Sequence, residues 1–147
     1  MNIETTAEPN VEQAVPFFWV HDITKSILFY VDGLGFHMTR HWLDDGRLRW
    51  CWLRLGGAGL MLQEFWKEGH HRNVPEGRLG VGVSIYFVSK DALMIYRDFT
   101  SRGVQAKQPF VGNGMWVTRV SDPDGYDLFF ESPTDAPEET EFTDATL

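Results

Sequence analysis

A chain of 147 residues, 43% of them hydrophobic, is long enough for one domain or two small modules sharing a core, burying about two-thirds of its unfolded surface. Its formal charge of -8 resides in the ends: residues 1–13 hold Glu4, Glu8 and Glu12, residues 132–147 hold Asp135, Glu138, Glu139, Glu141 and Asp144, and residues 14–131 balance thirteen acidic against thirteen basic side chains. A neutral interior with acidic tails presents no phosphate-binding surface, which argues against nucleic acid, and no apolar run approaches the roughly eighteen residues of a membrane span.

In chain order, an acidic tail at 1–13 leads into the apolar run VPFFWV, which ends at Val20 and reads as a strand. Asp22 then stands ahead of a helical pattern from about Ile23 to Val31, which Gly35 and Phe36 close. A hairpin follows, Met38 to Leu43 and Leu48 to Leu55 around the turn DDGR, and after GGAG a last strand carries Leu60, Met61 and Leu62. A linker loop at 67–80 separates this first module, 14–66, from a second at 81–132. There VSIYFV ends at Val88, Asp91 precedes a helical pattern from Ala92 to Ser101, and Gly103 and Val104 close it. A weaker hairpin, Val104 to Phe110 and Met115 to Val120 around VGNG, precedes DPDG and a strand through Leu128, Phe129 and Phe130. Val20 and Val88, Gly35 and Gly103, and Leu60 and Leu128 are all 68 residues apart, as in a duplicated strand-helix-strand-strand-strand unit. The tail at 133–147 has no periodic apolar face and is expected to be disordered or loosely docked.

Two such units, with VHDITKSILFYVDGLGF at Val20–Phe36 and DPDGYDLFFES at Asp122–Ser132, resemble the vicinal oxygen chelate superfamily, which includes glyoxalase I, extradiol dioxygenases and bleomycin resistance proteins. The resemblance covers residues 14–132 and implies an α+β fold of two βαβββ modules with curved mixed sheets, each cup of eight strands holding a site, commonly across a homodimer. In the family's metalloenzymes, histidine and glutamate on the first and last strands hold a divalent ion. Those positions fall here on Val15, Met61, Val83 and Phe129, or with a slip of one on Pro16, Leu62, Ser84 and Phe130, none of them a good ligand. The resemblance therefore points to the metal-free, bleomycin-resistance-like members, with no cofactor.

Because side chains alternate along a strand, placing Val15 toward the cup brings Phe17 and Trp19 with it. The same count adds Met61, Gln63 and Phe65; Val83, Ile85 and Phe87; Asp127, Phe129 and Glu131; and, from the hairpins, Trp50, Trp52 and Arg54 with Met115, Val117 and Arg119. An aromatic lining with a few polar groups suits a planar organic ligand. Phe17, Trp19, Trp50, Trp52, Met61, Phe87 and Phe129 are expected to line it, and Gln63, Arg119, Asp127 and Glu131 to orient the ligand. The competing expectation is that these aromatics fill a closed core or a dimer interface.

Other chemistry is sparse. Glu131 is a weak candidate for a catalytic base and pairs equally well with Arg119 or Arg54; Glu64 is one residue off the cup-facing set. Cys51 falls on the helix face beside Leu53 as a buried thiol, and a lone cysteine without CxxC spacing matches a reducing cytoplasm. His70 and His71 point apart in a charged loop, and His37 and His41 share a strand face without chelating geometry. The expectation is a cytoplasmic, homodimeric, metal-independent protein that sequesters a planar aromatic compound or antibiotic. A glyoxalase- or dioxygenase-like lyase or isomerase with relocated metal ligands or a carboxylate base, and a ligand-free structural dimer, are the alternatives.

Overall fold

The computed structural model describes residues 8–143. Each module forms one four-stranded mixed sheet. In the first, β1 (Phe17–Val20), β2 (His37–Asp44), β3 (Arg47–Leu55) and β4 (Ala58–Glu64) are ordered β1-β4-β3-β2; in the second, β5 (Ser84–Val88), β6 (Phe110–Gly112), β7 (Met115–Ser121) and β8 (Asp127–Pro133) repeat this as β5-β8-β7-β6. The β1–β4 and β5–β8 pairs are parallel and the rest antiparallel. Both hairpins turn on paired left-handed residues, Asp45 (φ 51°) with Gly46 (φ 74°) and Asn113 (φ 53°) with Gly114 (φ 73°), the backbone that the tightest two-residue hairpins require. The VGNG hairpin is shorter than the sequence implies: β6 holds only Phe110–Gly112, with Pro109 ahead of it.

α1 (Ile23–Ile27) starts on Asp22, whose carboxylate accepts from the Thr24 and Lys25 amides; α2 (Ala92–Ser101) starts the same way on Asp91, which accepts from Leu93 and Met94. The first helix then widens into a π-helical turn, Leu28–Gly33, in which the Leu34 amide reaches back five residues to the Phe29 carbonyl (2.9 Å). A π turn accommodates one inserted residue. It is visible in the spacing: Asp22 to Gly35 is 13 residues, whereas Asp91 to Gly103 is 12. The true offset between modules is therefore 69 residues before the helix and 68 after it. Trp19 pairs with Gln63 where Val88 pairs with Glu131, which are 69 and 68 positions on.

Residues on one face of each sheet and from both helices build a single core: Phe18, Val20, Cys51, Leu53, Leu60 and Leu62 join Phe99, Val120, Leu128 and Phe130, with Tyr30 and Phe36 among them. The DPDGY turn locks the modules together. Tyr126 stacks on Phe18 (4.1 Å, 0°) and donates to the Trp19 carbonyl (2.8 Å), the Tyr30 hydroxyl donates to Asp122 Oδ2 (2.7 Å), and the His21 amide donates to Asp124 Oδ1 (3.0 Å).

The C-terminal segment is docked, contrary to the expectation for 133–147. Pro133 belongs to β8, and Phe142 is buried beside Trp116 and Tyr96. The Val111 amide donates to the Thr140 carbonyl (2.9 Å) and the Glu139 amide to the Val111 carbonyl (3.0 Å), while Glu138 accepts from the Asn113 and Gly114 amides (2.9 and 2.7 Å). One apolar residue and a run of backbone bonds along the β6 edge anchor the segment, with no periodicity to announce it. Residues 1–7 and 144–147 of the two acidic tails lie outside the described residues.

Candidate functional site

Paired residues in a sheet point to the same side. Across β1 and β4, Phe17 pairs with Met61 and Trp19 with Gln63; from β3, Trp52 and Trp50 pair with the same two residues. These six predicted residues share the face opposite the core. Trp19 stacks on Phe65 (5.6 Å, 17°) and lies 5.4 Å from Phe17. Gln63 sits between Trp19 and Trp50, only 9% exposed, and its amide makes no hydrogen bond to any described residue. Its amide atoms keep some exposure, unlike the sealed Trp52 Nε1, so a ligand group on this face can reach them. Trp52 lies flat on Gly59, where a Cβ would come within 3.3 Å of its Nε1, and that indole N–H also lacks a partner.

Sequence alternation missed part of this face. β2 carries a bulge between Met38 and Arg40: Met38 pairs with Leu53, but Arg40, not Thr39, pairs with Trp52. A one-residue slip moves every following side chain to the other face. Arg40 and Trp42 thereby join Trp52 and Trp50, and the Arg40 guanidinium lies over the Trp52 ring (4.7 Å) and beside Trp50 (5.9 Å).

On the second sheet the same rule gathers Asp127, Phe129 and Glu131 with Arg119 and Val117, as expected, but the β5 assignments move by one residue. Tyr86 pairs with Phe129 and stacks on it (4.7 Å, 11°), and Val88 pairs with Glu131. Phe87, placed in the cup from sequence, instead stacks on Phe130 (4.6 Å) and packs on Phe36 (6.2 Å) in the core. Ile85 shares that side, and Val83 precedes the strand, so Ser84 takes the place assigned to it. The cause is the π turn, which makes 69 rather than 68 the relevant offset for β5.

Two of the polar residues engage each other. Arg119 Nη2 lies 3.1 Å from Asp127 Oδ2 and the guanidinium lies over Phe129 (5.3 Å), while the Ser121 hydroxyl donates to Asp127 (2.7 Å). Burial raises the Asp127 carboxyl, but the Ser121 and Arg119 hydrogen bonds outweigh it and hold it below its ordinary range. Glu131, half-buried, has no ion-pair partner among the described residues. Burial pushes the Cys51 thiol up to about 12, against a smaller lowering by the Leu62 backbone, and the side chain is inaccessible. Glu64 faces the other way, accepting from the Ile23 amide and Arg49 Nη1 (3.0 Å each) and from Arg47.

The donor set does not fit the family's divalent ion. Val15, Met61 and Phe129 supply alkyl, thioether and phenyl groups, Ser84 a hydroxyl, and among the described residues no three His, Cys, Asp or Glu side chains gather. Clefts of 710, 670 and 720 Å³ open among the described residues, and none of these is lined by Trp50, Trp52, Gln63, Phe129 or Glu131. The third, between the modules, includes Val15, Phe17, Val83, Tyr86 and Phe87. In one chain the two aromatic faces are open surfaces, with Phe17, Trp42 and Tyr86 42%, 45% and 56% exposed.

Duplicated βαβββ modules back to back, each presenting an aromatic sheet face, define the class of small proteins that build sites on paired mixed sheets. The chain belongs to the Glyoxalase/Bleomycin resistance protein/Dioxygenase superfamily, whose family model matches residues 11–130. Similar solved structures include TioX from Micromonospora sp. ML1 (18% identity, TM-score 0.66, covering 84% of this chain and 100% of that one). TnmS3, an antibiotic binding protein from Streptomyces sp. CB03234, is similar at 19% identity and TM-score 0.63 (86% and 100%). Lactoylglutathione lyase from Agrobacterium tumefaciens follows at 16% identity and 0.60 (85% and 96%). No curated protein sequence matches the chain. At these identities the likeness is one of fold.

Proposed function

We propose that this chain is a metal-independent binding protein that works as a homodimer and captures a planar aromatic compound, with an antibiotic among the candidates. The observation that carries this reading is Gln63, a largely buried side chain whose unpaired amide stays accessible between Trp19 and Trp50. Indoles on either side stack on a flat ring for about 0.5–1.5 kcal/mol per pair, and the amide orients it. The dimer is supported by exposure: drug-sized ligands are typically buried to about 70–90%, which one open sheet face does not provide, and a second copy would cover both the Trp50 and the Phe129 faces. TnmS3, a protein of similar fold described as antibiotic binding, supports this reading. A buried free thiol at Cys51 suits a cytoplasmic setting.

Titrating planar aromatic compounds while following tryptophan fluorescence tests the proposal. Quenching that Trp50→Ala and Gln63→Leu weaken at least tenfold supports it; no response to any compound, in a dimer whose faces close on each other, would sink it. The unpaired Glu131 carboxylate keeps a metal-free isomerase as the second reading. Turnover abolished by Glu131→Gln, or a stoichiometric divalent ion that survives dialysis, would replace capture with catalysis.

A further inference from the structure

The aromatic face of the first sheet also carries positive charge. We infer that it takes planar aromatic acids, with the anionic group held between Arg40 and Arg54; this rests on the proposed aromatic-binding function. The β2 bulge puts Arg40 here, for without it Thr39 would pair with Trp52 and Arg40 would turn to the helix side. Bulges are enriched where a fold must re-aim a side chain at a site. The Arg40 guanidinium rests 4.7 Å from the Trp52 ring centroid, and the Arg54 guanidinium lies 5.9 Å from the same ring. Both are thus held near one indole, and the fixed donor fork of each remains available for a carboxylate.

Nothing on this face neutralises them. The ion pairs among the described residues are Arg47–Glu64, Arg49–Glu64 and Arg119–Asp127, all elsewhere. The one carboxylate that the register brings to the side of Trp50 and Trp52 is Asp44, at the hairpin turn opposite Arg47 and four residues beyond Arg40, and the register sets His37 opposite Arg54. The Trp52 Nε1–H, buried against Gly59, supplies no acceptor. Apart from Gln63 and Asp44, the polar groups here therefore donate. A cationic ring system would meet two uncompensated guanidiniums, whereas a carboxylate supplies the acceptors they lack.

The test is equilibrium dialysis of the full chain with three probes of one shape: anthraquinone-2-carboxylate, anthraquinone-2-carboxamide and 2-(aminomethyl)anthraquinone. The carboxylate is expected to bind at least tenfold more tightly than the amide, and the cation most weakly, with the carboxylate advantage shrinking as salt rises. Arg40→Gln and Arg54→Gln should each remove most of that advantage, costing the carboxylate at least fivefold more affinity than the carboxamide, while Arg97→Gln on α2 changes nothing. Equal binding of all three probes overturns the charge assignment and leaves aromatic capture standing; no binding of any probe overturns both. Equal weakening of all three in Arg40→Gln, or loss of the dimer, would show that Arg40 props the tryptophans or seals an interface, which also refutes the inference.

Discussion

Glu64 is the most heavily committed carboxylate of the first module, and replacing it tests how β3 is held in place. Its side chain is 2% exposed and accepts from three groups: the Ile23 amide at the start of α1, Arg49 and Arg47. The Arg47 side chain is 60% exposed, so solvent screens that pair to within about 1 kcal/mol. Arg49 is different, with a side chain 11% exposed and its guanidinium packed over Trp66 (4.1 Å). Glu64→Ala strands that charge and a helix-start amide together, and breaking a buried pair from one side costs about 3–5 kcal/mol. For a chain of this size that lowers Tm by roughly 10 °C. Urea unfolding should show the loss as a lower midpoint at unchanged slope. Removing both charges in Arg49→Met with Glu64→Leu should recover most of the stability, because the cost lies in the widowed charge. A loss below about 1 kcal/mol in Glu64→Ala, or a double variant worse than the single, would refute this account.

Three further outcomes follow from other sites. Burial raises the Asp122 carboxyl from 3.8 to about 6, outweighing the hydrogen bonds from Tyr30 and the Tyr126 and Asp124 amides. Between those values the folded chain keeps a proton that the unfolded chain has lost. Stability should thus be greatest below pH 4 and fall as pH rises through about 6, by at most about 3 kcal/mol; denaturation midpoints across pH 4–7 should show the fall in the wild type and a flat profile in Asp122→Asn. Gly59→Val places side-chain atoms against the Trp52 indole, so tryptophan emission should shift and aromatic affinity drop, with stability changed by only about 1–3 kcal/mol. Phe142→Ala should cost about 3 kcal/mol and release the C-terminal segment from β6, read as faster hydrogen exchange at the Val111 and Glu139 amides.

The fold was legible because duplication leaves two kinds of mark, apolar strands and the residues that start and stop helices. Asp22 and Asp91, Gly35 and Gly103, and the DPDG turn each have a local physical reason to be where they are. The cup-facing set on β1, β3, β4 and β8 was also readable, since period-two alternation holds wherever the ladder is regular. It failed at two of the places where the backbone gains a residue. A π turn inside the first helix shifts β5 by one, trading Tyr86 for Phe87, and a bulge at Thr39 swings Arg40 and Trp42 onto the aromatic face. Neither has a composition signal as strong as a proline or a paired glycine. The π turn shows in the sequence only as one extra residue between Asp22 and Gly35, and the bulge only in the register.

Composition is least informative about charge at the site. An overall charge of -8 describes a chain that should repel acids, yet the eight surplus carboxylates belong to 1–13 and 132–147. Five of those residues, Asp135 to Asp144, follow β8, and the described part of that segment runs beside β6, on the sheet that does not carry Arg40 and Arg54. Charges farther apart than a Debye length, about 8 Å at physiological salt, scarcely influence each other through solvent. What a ligand meets at short range is the local donor set, and around Trp50 and Trp52 that set is two guanidiniums in no ion pair among the described residues. The opposite charge faces outward on the second sheet, where Glu131 stands unpaired beside Phe129. A dimer that brings the first sheet of one copy against the second sheet of the other would set Glu131 against Arg40 and Arg54, so a bound acid must compete with that carboxylate. Glu131→Gln should then tighten the binding of anthraquinone-2-carboxylate more than that of the carboxamide; unchanged binding of the acid in this variant would show that the two faces do not meet.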